Sequence, residues 1–373
     1  MIPGRFVIDT HVHAQRHAFK FQKRGIKPDY ATLAEGMPRD SEVEVYDNTP
    51  RLLYDMERYG VDMCIISTAF GMTDEIDQEI QEKYPDKFVS CLGMTDFRKR
   101  VWNGEIEGTI DELCQEADKL LATGKYRGGL REGLPIIINP KATRPQTQEE
   151  RIQDMFRMME VAQAHKVPVS GPHGGTLSGY GGADFSRVFG GKPGAAAAAI
   201  NTMFGHAGIM LWGTIASNFP EVPIVMEHGG MQGWWSEMDI DVTLRVAASH
   251  SNVYLETGLW WAELYEKPLR DPNIGCEQLI WGTDWGASIP QQWWPGGYPD
   301  VYPDQNRHLG PPAHQVDYYG WQMKELLKLE IPQDDLNLIL SGNAIRMMRL
   351  EDKVPYTRFY KQYLRRDLPQ ESR

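Results

Sequence analysis

Apolar positions along this chain fall into two rhythms: short continuous runs, and longer stretches where an apolar residue returns every three or four positions. Eight runs read as strands: FVIDTHVHA (6–14), VDMCIISTA (61–69), FVSCLGMTD (88–96), YRGGLREG (126–133), VPVSGPHG (167–174), VPIVMEHGG (222–230), NVYLETG (252–258) and LIWGTDWG (279–286). Most lack strict alternation, the pattern of parallel strands covered on both faces. The stretches between them have helical period. In TQEERIQDMFRMMEVAQAHK (147–166), Ile152, Met155, Phe156, Met159 and Ala162 share one face, and Thr147 and Glu150 are spaced as a capping box. PRLLYDMERYG (50–60), TIDELCQEADKLLATG (109–124) and VDYYGWQMKELLKLE (316–330) read similarly, the first two ending on glycine. Strand then helix, repeated with right-handed crossovers, predicts an α/β fold, a (β/α)8 TIM barrel. An open doubly wound sheet is the competing fold. No strand leads into GxGxxG, and SRVFGGKPG (186–194) lacks the first glycine of a phosphate loop and has Pro193 where Ser or Thr belongs.

The chain's 373 residues suffice for one large barrel, expected over 1–350 and followed by an arm over 351–373. Three stretches exceed ordinary loop length, at about 15–49, 175–200 and 287–315, and read as lids. The arm carries Tyr356, Arg358, Phe359, Tyr360, Arg365 and Arg366, which a monomer would expose. A homo-oligomer, or pairing with a paralogous subunit, is therefore expected.

Charge narrows the partners. Against 39 basic side chains stand 51 acidic ones, a formal net charge of −12. That field repels polyphosphate and anionic membranes, so neither nucleic acid nor a membrane is the expected partner, and a small molecule is. Cys64, Cys91, Cys114 and Cys276 form no CxxC pair and are expected as free thiols in a reducing compartment. The opening residues show no signal pattern, and no apolar run reaches the roughly 18 residues of a membrane span. A cytoplasmic protein is the expectation.

Candidate chemistry gathers at the C-terminal ends of the strand segments, where barrel enzymes keep their sites. The first ends in Asp9-Thr10-His11-Val12-His13. Residues two apart on a strand point the same way, so both imidazoles are expected at the barrel mouth, and imidazole nitrogen suits zinc, iron or manganese. An HxH pair alone carries little weight. Here His173, His228 and Asp284 join it from the ends of the fifth, sixth and eighth segments.

With those residues in place, the sequence resembles the amidohydrolase superfamily. The nearest branch holds aminocarboxymuconate-semialdehyde decarboxylase and the resorcylate-type decarboxylases. The resemblance is carried by IDTHVH, NFPEVPIVMEHGG, NVYLETG, LIWGTDWG and LILSGNAIRMMRL, spread over nearly the whole chain. It implies that His11, His13, His173 and Asp284 ligate a metal and that His228 is a catalytic or second-metal histidine. Two features depart from the family pattern. Members often read A-H-G-G-G at the sixth strand, where this chain has Glu227-His228-Gly229-Gly230-Met231. Strand alternation would turn Glu227 outward, into a salt bridge, when His228 turns inward. Glu132 ends the fourth segment, where binuclear members bridge two metals. It stands either as a metal ligand or as a partner for Arg127 or Arg131.

His17, His308 and His314 lie in or beside loops and are expected at the surface or in supporting roles. His165, His206 and His250 sit on helices or helix ends and read as structural. Trp234, Trp235, Trp260, Trp261, Trp285, Trp293 and Trp294 gather after the last three strand segments, as core packing that would also keep a pocket dry.

The function implied is a metal-dependent enzyme acting on a small organic carboxylate by decarboxylation or hydrolysis, with Asp284 and His228 handling protons. Its cofactor would be one divalent ion, zinc or manganese. A second reading, also from the resemblance, adds His228 and Glu132 to the ligands. It is a dinuclear iron or manganese–iron oxygenase that hydroxylates a small carboxylic or amino acid. A third is a non-catalytic partner subunit, which the ligand positions on four strands argue against.

Overall fold

A computed structural model describes residues 5–14, 49–68, 73–131, 147–171, 208–231, 237–258, 260–285 and 318–354. Its strands are β1 (Ile8–Val12), β2 (Met63–Ile66), β3 (Phe88–Leu92), β4 (Gly129–Arg131), β5 (Val169–Ser170), β6 (Ile224–Met226), β7 (Val253–Glu256) and β8 (Leu279–Ile280). They lie side by side in chain order, and every pairing is parallel. The chain after β8 returns to β1. Thr10 N–H donates to the Trp281 carbonyl at 3.0 Å, His13 N–H donates to the Trp285 carbonyl at 2.6 Å, and Val12 bridges Trp285. The sheet therefore closes into a (β/α)8 barrel, the expected fold, and the open sheet is excluded.

Each expected strand segment contains one observed strand, and each strand ends before its segment does. The third ends at Leu92 because Met94 is left-handed (φ 54) and the helix Thr95–Asn103 starts at once. The sixth ends at Met226 and the eighth at Ile280. The helix Gln148–His165 begins on the Thr147–Glu150 capping box and buries Met155, Met159 and Ala162 against the core. Thr49–Tyr59, Ile110–Leu121 and Tyr318–Leu327 are the other expected helices. Periodicity does not single out Asp74–Lys83 or Thr95–Asn103, whose buried apolar side chains, among the described residues, are Ile76 with Ile80 and Phe97 with Val101.

Two apolar layers hold the barrel. The larger packs Val7 and strand residues such as Cys64, Ile66 and Leu255 against the surrounding helices. The smaller joins Ile8, Met63, Ile65, Val89, Val225 and Ile280 to Ile345, Met348 and Leu350 of the closing helix Asn343–Met348 and its exit. Each fully buried aliphatic side chain contributes roughly 1.5–3 kcal/mol. With the barrel filled from below, polar groups can collect only above, at the C-terminal strand ends. Cys64, Cys91 and Cys114 are buried and Cys276 half-buried, all free thiols as expected. Among the described residues no helix is long and apolar enough to cross a membrane.

Candidate metal centre

β1 delivers His11 and His13 to the mouth, both buried. His11 Nδ1 lies 2.9 Å from Glu256 Oε2, and His13 Nδ1 lies 2.9 Å from the Ser67 carbonyl oxygen. A carboxylate and a carbonyl only accept, so each imidazole carries its proton on Nδ1 and presents a lone pair at Nε2. The two Nε2 atoms are 3.0 Å apart. Asp284 Oδ1 stands 3.1 Å from His13 Nε2 and 3.6 Å from His11 Nε2. Electron-rich atoms thus converge on one buried point with no proton between them. A cation there turns the mutual repulsion into attraction, and the N,N,O donor set is one that divalent metals accept.

Beyond Met226 the backbone leaves extended geometry and turns through Glu227–Gly230. His228 is left-handed (φ 52, ψ 26), a conformation costing a non-glycine residue on the order of 1–3 kcal/mol. The turn stacks the His228 ring on that of His11, with centroids 5.0 Å apart. It also brings His228 Nε2 to 3.5 Å from Asp284 Oδ2. Asp284 is itself left-handed (φ 54).

The same turn overturns the expectation for Glu227. Once the strand has ended, neighbouring side chains no longer alternate, and Glu227 reaches inward together with His228. It is buried, with Oε2 at 3.7 Å from His11 Nε2 and Oε1 paired with Arg131. The ion pair expected of Glu227 exists, but inside the mouth. Arg127 pairs with Asp352, at 2.7 Å.

Burial pulls His11 down to about 4, although Glu256 and Asp284 act the other way. For Asp284, burial would raise the carboxyl, but His11, His13 and His228 outweigh it and hold it well below the usual range. Burial likewise opposes a charge on Glu256, and His11 and His228 win, leaving it below its ordinary value. On His228, burial disfavours the charge, yet Asp284, Glu256 and the Met231 carbonyl lift it above its ordinary value. Metal ligation requires a neutral His11 beside an ionised Asp284 and Glu256. Among the described residues, two groups have ligand atoms within 4.8 Å of one another: His11, His13 and Asp284, and His11, His228 and Glu256.

His11, His13, His228 and Asp284 are thus brought together. His173 and Glu132 lie outside the described residues, as do His17, His206, His308 and His314. His165 pairs with Asp118 at 2.7 Å, and His250 meets Ser217 Oγ at 2.8 Å, both structural placements. Glu227 and Glu256 are the site groups that sequence reasoning did not place there. For Glu256 the available signal was an acid ending an otherwise apolar strand.

Several solved structures share this architecture. The 2,6-dihydroxybenzoate decarboxylase from Rhizobium is 14% identical with a TM-score of 0.53, over 93% of this chain and 99% of that one. The 5-carboxyvanillate decarboxylase from Sphingomonas paucimobilis is 15% identical with a TM-score of 0.51, over 92% and 99%. A dihydroxybenzoic acid decarboxylase from Polaromonas sp. JS666, solved with bound manganese, is 13% identical with a TM-score of 0.52, over 94% and 100%. At these identities the likeness is one of fold. No curated protein sequence matches the chain. The amidohydrolase family model matches residues 106–350, from just before the helix Ile110–Leu121 through the turn after β6 and Asp284 to the closing helix, and the chain belongs to that family.

Proposed function

We propose that this chain is a metal-dependent enzyme that decarboxylates or hydrolyses a small organic carboxylate at the barrel mouth. The observation carrying this reading is the convergence of His11 Nε2, His13 Nε2 and Asp284 Oδ1, with the two nitrogens 3.0 Å apart. His11, His13 and Asp284 would hold one divalent ion, zinc or manganese, with His173 as a further ligand. When bound, such an ion acts as a Lewis acid toward a carboxylate or neighbouring oxygen and acidifies coordinated water. His228, stacked on His11 and facing Asp284, holds a proton at Nε2 for delivery to a substrate atom. Trp260 and Trp285, fully buried nearby in the chain, keep water out.

Charge supports a bound cation. Among the described residues Asp284, Glu256 and Glu227 gather around His11, and of these Glu227 is paired with Arg131. The carboxylates outnumber the cations there, which favours a divalent ion. Aromatic-acid decarboxylases recur on this fold, which makes release of carbon dioxide the first activity to assay.

A dinuclear iron or manganese–iron oxygenase is the second reading. It is favoured by the second donor group, His11, His228 and Glu256, and by Glu227 at 3.7 Å from His11. The test counts metal equivalents in protein purified without added metal, beside assays of carbon dioxide release, hydrolysis and oxygen uptake. One equivalent with no oxygen uptake supports the first reading. Two equivalents of iron or manganese with oxygen uptake support the second. Protein that neither carries nor takes up metal overturns both and leaves the non-catalytic subunit.

A further inference from the structure

We propose that Glu256 is the positioning residue of this centre, a single carboxylate on β7 that sets both the imidazole of His11 and the turn bearing His228. Its consequence for metal affinity rests on the metal reading above; its geometry does not.

Glu256 is fully buried. Its Oε2 accepts from His11 Nδ1–H and from His228 N–H, each at 2.9 Å, and its Oε1 accepts from Gly258 N–H. The three donors come from β1, from the turn after β6 and from the end of β7 itself. Only a group with nothing but acceptors satisfies all three. A glutamine would turn its NH2 against at least one N–H in either orientation of the amide, and an aspartate is one methylene short.

The chain keeps room for this carboxylate. A Cβ at Gly282 would lie 2.1 Å from Glu256 Oε1 and 2.7 Å from its Cδ, and one at Gly258 would lie 2.8 Å from Oε1. Neither glycine has a positive φ, so the space, not the backbone, requires glycine at both. Through Glu256 the β1 histidine and the β6 histidine share one anchor. Without it His11 is free to move its proton to Nε2 or to rotate, and the lone pair aimed at Asp284 is lost. Partners of this kind behind a metal-binding histidine are worth about 10–100-fold in affinity.

The experiment compares wild type with Glu256→Ala, Glu256→Gln and Gly282→Ala. The His11 tautomer is read by nitrogen-15 NMR of the metal-free protein, manganese affinity by titration, and folding by thermal unfolding. Wild type should show His11 protonated on Nδ1. Glu256→Ala should mix the tautomers and weaken manganese binding 10–100-fold. Gly282→Ala, which keeps every donor and only displaces the carboxylate, should shift both readouts the same way, and it keeps the test decisive should Glu256→Ala not fold. Glu256→Gln, with one orientation that still accepts from His11, should fall between. Wild-type His11 protonated on Nε2, or wild-type manganese affinity in the folded Gly282→Ala protein, overturns the proposal. A wild type with His11 on Nδ1 that binds no manganese sinks the metal reading and leaves the positioning role standing.

Discussion

Two groups of buried carboxylates sit in this barrel, and their acidities are shifted in opposite directions. Around His11, Asp284 and Glu256 lie below the ordinary carboxylate range although both are buried. On the helix Asp74–Lys83, Asp74 and Asp77 are equally buried and lie above it. Asp74 accepts from the backbone N–H of Gly93 at 2.6 Å and of Thr95 at 2.7 Å, and burial still prevails. Among the described residues neither carboxylate oxygen of Asp77 has a hydrogen-bond partner, and the charge on Arg131 does not make up for that. Desolvation is common to the two groups; the imidazoles are not. A buried acid becomes chemically useful only where something nearby stabilises its charge.

The largest effect should come from removing donors in the first group. His11→Ala, His13→Ala and Asp284→Asn should each bring metal content to background while the barrel still unfolds cooperatively, because the apolar core is built from other residues. Elemental analysis beside thermal unfolding checks this. Full metal content in all three would erase the distinction between the two groups.

His228 separates holding a metal from using it. In the mononuclear reading, His228→Asn should keep the metal and lower turnover by about 10²–10⁴-fold, the usual worth of a positioned proton donor. Loss of one metal equivalent with the imidazole would instead make His228 a ligand and favour the dinuclear reading.

The smallest effect lies in the other group and in the pH dependence of stability. Unfolded, Asp77 ionises near the usual carboxylate value of about 4; folded, it does so only well above that. The folded chain therefore holds the extra proton, and this contribution to stability is complete below about pH 4 and declines as pH rises, by at most about 1.4 kcal/mol per pH unit. Asp77→Asn removes the decline. In urea unfolding its stability relative to wild type should rise from pH 5 to pH 7, with metal content unchanged. An identical difference at both pH values would show that Asp77 is ionised in the folded protein like the acids around His11.

How much was legible in the sequence follows the range of the interactions involved. The capping box at Thr147 and Glu150 and the eight apolar runs were readable because a few neighbouring residues decide each of them. His11, His13, His228 and Asp284 were readable as a set because each stands at or just past a strand end. Glu227 was misjudged because the two-residue alternation holds only while the strand lasts, and β6 lasts to Met226. Asp284 shows the same limit, four residues beyond the end of β8 and left-handed.

The sequence by itself determined the order of the strands, the barrel class, the family and the HxH pair, since all of these are written in local periodicity and short motifs. Only the tertiary structure decided that Glu256 stands behind His11, 245 positions away in the chain, and that Glu227 shares the mouth with it. Closing the barrel is what brings the ends of β1, β6, β7 and β8 together, and the turns after β6 and β8 aim their side chains. No local pattern encodes a contact between strands that meet only when the last one returns to the first.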